Sequence, residues 1–578
     1  MLSLTLATRS FTPIDGQNMR IVAILLALLS LPAFAVSPAA VQARNGMVTS
    51  RSTLASIVGV DVLKSGGNAI DAAVATGFAL AVTYPSAGNI GGGGFAVVRL
   101  QSGEVLILDH RETAPASATR DMYLDRDGEV IRGLSTRTHK ASGVPGTVDG
   151  LLLLLQRYGT KSRKEVMAPA IQLARDGFPL TRNLAAQFAR VLRAMEPYPA
   201  SKAKFSNSGA PYGEGEIWRQ PDLAATLAEI SDKGRDGFYK GRVAKLIVAE
   251  MQRGNGEISL QDLANYRSVW REPIKGTYRG HEIWGMSPPS SGGVLVVQML
   301  NMLEPYDLKA LGWGSAKLIH LMVEAERRAY ADRAEHLGDS DYYDVPIAKL
   351  TSKAYARKRF ADFDADRASD SEAIGAGSWP EESAETTHFS VLDSKGNVVA
   401  LTTTLNSGYG SKIVAAGSGI LMNNEMNDFS IKKNVPNQFG LIGRVANSIE
   451  PGKRMLSSMS PTIVTKDGVP FLVTGSPGGS TIITTTLQVI INVIDHEMTL
   501  EDAVSLPRIH HQWKPDSITY GKHAISPDSL KVLQQMGHRN FRAMSWGRGI
   551  GDANSILYRE GVIYGMKDPR NEGAAIGF

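Results

Sequence analysis

Apolar positions along this chain change their period several times, and each change marks an element. Residues 50–85, SRSTLASIVGVDVLKSGGNAIDAAVATGFALAVTYP, carry two helical stretches around Gly66-Gly67. Small apolar residues crowd the second stretch, which predicts a closely packed, largely buried helix. SAGNIGGGGFAVVRLQSGEVLILDHRETAP (86–115) predicts a glycine-rich turn and two apolar strands. Helical patterns dominate from about 148 to 360, as in KEVMAPAIQLARDGF (164–178) and AKLIHLMVEAERRAYADRAEHLGD (316–339). Strand-like GTYRGHEIWGM (276–286) interrupts them. Residues 361–385 are acidic, with Ser, Gly and Pro and few large apolar side chains, and predict an exposed loop. HFSVLD-SKGN-VVALTTTL then alternates as a hairpin with its turn at Ser394–Asn397. VPFLVTGSPGGSTIITTTLQVIINVI (469–494) predicts a buried strand, a glycine turn and an apolar helix. Strands and helices in blocks, with the strands apolar, predict helices layered on sheets.

Composition adds exclusions. The chain has 578 residues, 43% hydrophobic and 21% charged, with a mean hydropathy of −0.11, as globular proteins do. A net charge of +5 over this length, with no basic run interleaved with aromatics, gives no case for nucleic acid. The absence of cysteine removes disulfides, thiolate metal sites and cysteine nucleophiles together. From Met19 the chain runs MRIVAILLALLSLPAFA: a charge at Arg20, an apolar stretch from Ile21 to Leu31, then Ala33-Phe34-Ala35. This is the pattern of a secretory signal cleaved after Ala35, with translation starting at Met19, and it predicts a periplasmic or secreted protein. The apolar stretch is too short to span a bilayer as a stable helix.

Candidate chemistry is sparse until one stretch is considered. NIGGGG lacks the GK[ST] ending of a phosphate-binding loop, and GRGIGD (547–552) lacks the spacing of a dinucleotide fingerprint. His510-His511 carry no HExxH pattern, so neither a metal nor a cofactor is expected. AETTHFSVLD (384–393) is different, because an exposed loop there abuts a strand that opens with threonine. Thr386 is either an ordinary β-branched residue at a strand's start or a latent nucleophile. Freed by cleavage of the preceding bond, an N-terminal threonine has its own general base, since its α-amine takes the hydroxyl proton. Downstream, SPGGS (476–480) offers backbone N–H groups that can face a developing oxyanion.

These residues resemble a known family. TTHFSVLDSKGNVVALTTTLNSGYGSKIVAAGSGILMNNEMNDFS, KRMLSSMSPTIV and VTGSPGGS are similar to the small subunit of γ-glutamyltransferases (γ-glutamyltranspeptidases). GGNAIDAAVATGFALAVTYPSAGNIGGGGF, DHRETAP, SGVPGTVDGL and PPSSGGV match the large-subunit half, and PRIHHQW and DPR the C-terminus. The resemblance runs from about residue 40 to the end. It implies an α+β, four-layer αββα fold of the N-terminal nucleophile hydrolase superfamily. It also implies self-cleavage between Glu385 and Thr386, which, after removal of the signal peptide 1–35, leaves a large subunit of 36–385 and a small subunit of 386–578. Thr386 is then the nucleophile, Thr404 its orienting partner, and Gly478 and Gly479 the oxyanion pair. Arg111, Ser457 and Ser458 are implied to bind the α-carboxylate of a γ-glutamyl group. Asp428 is implied to pair with its α-ammonium, with Asn406 and Glu425 as supporting acceptors. The implied reaction is ping-pong and needs no cofactor, with glutathione as donor and water, an amino acid or a peptide as acceptor.

Residues 433–448 correspond to the family's lid, and Phe439 stands where some members carry tyrosine, which leaves lid closure open. Two alternatives accompany this expectation. A cephalosporin or glutaryl acylase of the same superfamily would have no use for the acid at 428. A non-catalytic exported binding protein would be expected to have lost a nucleophile or oxyanion element, and none is missing.

Overall fold

The strand Val398–Thr404 shows why this sequence builds layers. Val398 and Ala400 join one apolar cluster with Phe95, Val97, Ile463 and Val473, whereas Val399 and Leu401 join another with Phe78 and Val74. Side chains alternate across a strand, so both faces here are apolar and both must be covered. The computed structural model describes residues 37–374, 386–432, 435, 437–438, 441, 443–545 and 549–578. The fold set out here is that of Ala40–Phe578. The expected signal peptide, Glu385 and Phe439 lie outside the described residues.

Two seven-stranded sheets form the centre. The first runs Ala574–Gly577, Gly46–Ser50, Thr387–Asp393, Val398–Thr404, Gly93–Arg99, Val105–Asp109, Val269–Arg271, with every neighbouring pair antiparallel. The second runs Val41–Ala43, Val562–Lys567, Asn554–Arg559, Val469–Thr474, Thr462–Lys466, His281–Gly285, Ile274–Tyr278, again antiparallel throughout. Met47, Phe95, Leu392, Ile463 and Ile556 fill the space between the sheets. Helices Thr53–Lys64, Ala69–Thr83 and Thr147–Tyr158 cover the first sheet's outer face. Helices Gly292–Leu303, Ala316–His336 and Thr481–Ile494 cover that of the second. The result is the α+β, four-layer αββα arrangement.

The Ala-rich stretch is the helix Ala69–Thr83, buried along its whole length. Asn68 and Asp71 close a reciprocal capping box at its start, so its first N–H groups are satisfied without solvent. The 469–494 stretch forms the strand, turn and helix its pattern predicts. The 276–286 stretch proves to be most of a hairpin, Ile274–Tyr278 with His281–Gly285. Its two-residue turn places Arg279 at φ 49° and Gly280 at φ 76°, the double positive-φ turn that suits strand twist. Residues 361–374 form a mostly exposed loop, as expected, but one tethered at several points. Arg327 and Trp513 both hold Ser371, Arg328 holds Ser369, and Lys514 pairs with Glu372. The hairpin at 387–404 forms as expected, and Asp393 collects the N–H groups of Lys395 and Asn397 in its turn.

Candidate active site

Thr386 immediately precedes the strand Thr387–Asp393 and is buried. Thr387 pairs with Thr403, so one step further Thr386 stands opposite Thr404. The Thr386 hydroxyl donates to Thr404 Oγ1 at 3.4 Å, and the same oxygen accepts the Asn406 N–H at 2.8 Å. Asn406 takes the left-handed conformation, φ 74°, and its Nδ2 donates to the Asn424 carbonyl at 3.0 Å. This fixes Thr404 Oγ1 in place opposite the Thr386 hydroxyl.

The glycine turn reaches the same strand through His388. The His388 ring bonds Thr402 Oγ1 at 2.9 Å and Ser390 Oγ at 3.0 Å, and burial pushes its pKa down to about 3, which keeps it neutral. A Cβ on Gly475 would lie 2.5 Å from that ring, so only glycine lets the strand carrying SPGGS pack there. Gly478 and Gly479 have φ of 137° and 55° and lead directly into the helix Thr481–Ile494. Among the described residues no acceptor takes either N–H. Two free N–H groups at a helix N-terminus are suited to a developing oxyanion.

The third component is a buried charge cluster. Arg111 is fully buried, with Asp428 Oδ2 at 2.6 Å, Glu425 Oε2 at 2.7 Å and Glu112 Oε2 at 3.6 Å. Burial opposes the guanidinium's charge, but Glu425, Glu112 and Asp428 outweigh it and hold it charged. The acids fare worse. Burial drives all three carboxyl groups upward against the pull of Arg111, Glu112 to about 8 and Glu425 well above the ordinary range. One guanidinium cannot satisfy three carboxylates, so the cluster favours an incoming cation. Ser457 and Ser458 border it from the SSMSP segment. Ser457 Oγ accepts the Met459 N–H at 3.1 Å, and Ser458 Oγ accepts from Arg333 Nη2 at 3.2 Å.

A sequence profile of the family described as Gamma-glutamyltranspeptidase matches residues 55–578. This chain belongs to the γ-glutamyltranspeptidase family. It is 49% identical over 534 residues to the glutathione hydrolase proenzyme of Escherichia coli (strain K12), covering 92% of this chain and 91% of the relative. It is 47% identical over 577 residues to that of Pseudomonas sp. (strain A14), covering 96% and 99%. The solved cephalosporin acylase from Bacillus halodurans matches with TM-score 0.84 at 27% identity, covering 95% of this chain and 98% of that one.

Every described residue on the expected list lies in one of these three components. Sequence reasoning missed Glu112 and Arg333. Glu112 was in view beside Arg111 in DHRETAP, but nothing local showed it facing inward. Arg333 comes from the helix Ala316–His336, where it reads as one of many helical arginines. It donates to Ser291 Oγ at 2.9 Å as well as to Ser458, and its charge opposes the upward shift of Asp428. From the lid segment, Asn437 Nδ2 reaches Asp428 Oδ1 at 3.4 Å and Gln438 N–H donates to Asn427 Oδ1 at 2.9 Å.

Two outcomes follow for a γ-glutamyl substrate of this family. An ammonium entering the cluster favours ionised carboxylates, so binding lowers their pKa and releases protons below about pH 8. KM should therefore fall as pH rises from 6 to 8, by at most about tenfold per unit, and Glu112→Gln should flatten that slope in steady-state assays. Arg333→Lys, which cannot hold both serines, should raise KM about tenfold, the worth of one charge-assisted hydrogen bond. Its kcat should change much less, which a KM-against-kcat comparison reads directly.

Proposed function

We propose that this chain is a self-cleaving γ-glutamyltransferase acting on glutathione and related γ-glutamyl amides. The observation that carries this is the pairing of Thr386 and Thr404 hydroxyls at a strand head, in a site that also holds the buried Arg111–Asp428–Glu425 cluster. In maturation, Thr386 Oγ attacks the Glu385 carbonyl carbon, the C–N bond breaks and an ester forms. Water hydrolyses that ester, leaving a carboxylate on Glu385 and a free α-amine and hydroxyl on Thr386. The fragments are 36–385 and 386–578, which stay associated as a heterodimer.

In turnover the α-amine takes the hydroxyl proton as Thr386 attacks the γ-carbonyl. The N–H groups of Gly478 and Gly479 stabilise the oxyanion, and Thr404 orients the nucleophile. The leaving amine takes a proton, and the γ-glutamyl ester passes to water or to the amine of an amino acid or peptide. Arg111, Ser457 and Ser458 receive the α-carboxylate. Asp428 takes the α-ammonium, with Glu425 and Asn406 in support. In the ligand-free arrangement Arg111 is closed onto Asp428, so a bound substrate must insert between groups already paired, carboxylate toward one and ammonium toward the other. Residues 19–35 direct the protein to the periplasm or outside the cell. Among the described residues no helix is long and apolar enough to cross a membrane.

The acylase alternative is disfavoured by the same charges. A glutaryl group has a carboxylate for Arg111 but no α-ammonium, so it would draw Arg111 from the three acids and give them no cation in return. Two measurements test the proposal. N-terminal sequencing of the smaller fragment should read Thr-Thr-His-Phe-Ser, while Thr386→Ala remains one chain; any other start removes the mechanism. Glutathione should be turned over faster than glutaryl-7-aminocephalosporanic acid, and the reverse order would make this an acylase.

A further inference from the structure

Away from this site, one trio of metal-ligating side chains gathers among the described residues. His320 and Glu324 lie on the helix Ala316–His336, and His538 lies just beyond the helix Pro527–Gln535. All three are buried, and one donor atom from each lies within 4.8 Å of the others. We propose that this trio binds one divalent transition ion of the imidazole-preferring class, zinc first, and so pins the chain before Thr386 to the chain after it.

The i, i+4 spacing puts His320 and Glu324 on one face of their helix. His320 Nε2 lies 2.8 Å from the Asp364 carbonyl oxygen, which can only accept, so Nε2 carries the proton. Nδ1 therefore presents a lone pair, and it faces His538 Nε2 at 2.9 Å. A ring fixed by a backbone carbonyl on its far nitrogen is the arrangement that metal-bound histidines use. Without the ion, His538 Nε2–H donates to His320 Nδ1. On binding, that proton leaves Nε2 and the imidazole holds its proton on Nδ1 instead. Tetrahedral zinc with nitrogens at about 2.0–2.1 Å separates them by about 3.3 Å, so the rings part by only a few tenths of an ångström.

The third ligand and the charges also fit. Glu324 Oε1 already accepts from Arg327 Nε at 3.3 Å and Ser369 N at 3.1 Å, but Oε2 has one partner, Arg328 Nη1 at 2.5 Å. Oε2 therefore keeps a lone pair. The two guanidinium groups oppose a cation, and each has its own acid: Asp516 lies 2.6 Å from Arg327 and Asp362 lies 2.9 Å from Arg328. Counting Asp516 and Asp362 with Glu324, the acids around the two guanidinium groups outnumber them by one, beside two imidazoles. Sequence could not suggest the site, because His538 is 218 residues from His320.

The test uses untagged mature protein, stripped with a chelator and titrated with Co²⁺ and with Zn²⁺. One ion per heterodimer, a tetrahedral Co²⁺ visible spectrum that Zn²⁺ abolishes, and a raised thermal midpoint with Zn²⁺ are the expected results. His538→Gln should weaken binding about a hundredfold or more. Absence of stoichiometric binding, or equal binding by His538→Gln, overturns the proposal. Should that variant fail to fold, zinc X-ray absorption of the wild-type protein decides. Two imidazole nitrogens plus oxygen supports the site, and any other ligand set overturns it.

Discussion

The constraint on which the rest depends is the seating of the strand Thr387–Asp393. It lies third of seven in its sheet, and both its faces are covered by apolar layers. Its pairing is uneven in a useful way. Val398–Thr404 pairs it from Thr387 to Leu392, whereas Gly46–Ser50 pairs only Ser390–Asp393. The far end is therefore locked on both edges, and the end beside Thr386 on one. A chain cut before Thr386 keeps its new terminus in place, with Thr404 still opposite, because the pairing with Val398–Thr404 does not depend on the preceding segment.

Burial that seats the strand also sharpens the electrostatics. Three acids around one guanidinium would be unremarkable in water, where charges 4 Å apart interact by about 1 kcal/mol. With Arg111, Glu112 and Glu425 all out of solvent, each carboxylate charge must be matched or given up. Burial raises the pKa of all three acids, while Arg111 pulls them back, so negative charge in excess of the one guanidinium is disfavoured. The cluster thereby favours a ligand that carries a positive group, while Arg111 stays charged and available for a negative one. Preference for a zwitterionic head thus follows from unequal numbers of acids and bases, more than from any single contact.

Much of this was legible in the sequence wherever the signal is local. The alternation in HFSVLD and VVALTTTL gives the central hairpin, and the small residues of AIDAAVATGFALAVT give a buried helix. The long ordered motifs led to the family and to the residues gathered around Thr386 and Arg111. What was not legible depends on distant contacts or an unusual backbone. Arg279 occupies a positive-φ turn position more often held by asparagine or glycine, so its hairpin read as a single strand. The 361–374 segment has an exposed composition, but it carries the serines and acid that match Arg327, Arg328 and Lys514. Arg333 and Glu112 gain their roles only when Ser458 and Asp428 arrive from more than a hundred residues away.

Those distant contacts also explain how such a protein coheres without a single cysteine. Each sheet mixes strands from before and after Thr386, and so does the apolar cluster between them, where Met47, Phe95 and Met286 meet Leu392, Ile463 and Val473. The site is divided likewise, with Arg111, Glu112 and Arg333 on one side and Thr386, Asp428 and Ser458 on the other. Separating the two segments would expose both core faces and strip Arg111 from its acids at once. Cohesion and binding therefore draw on the same contacts, and a break in the backbone before Thr386 removes none of them.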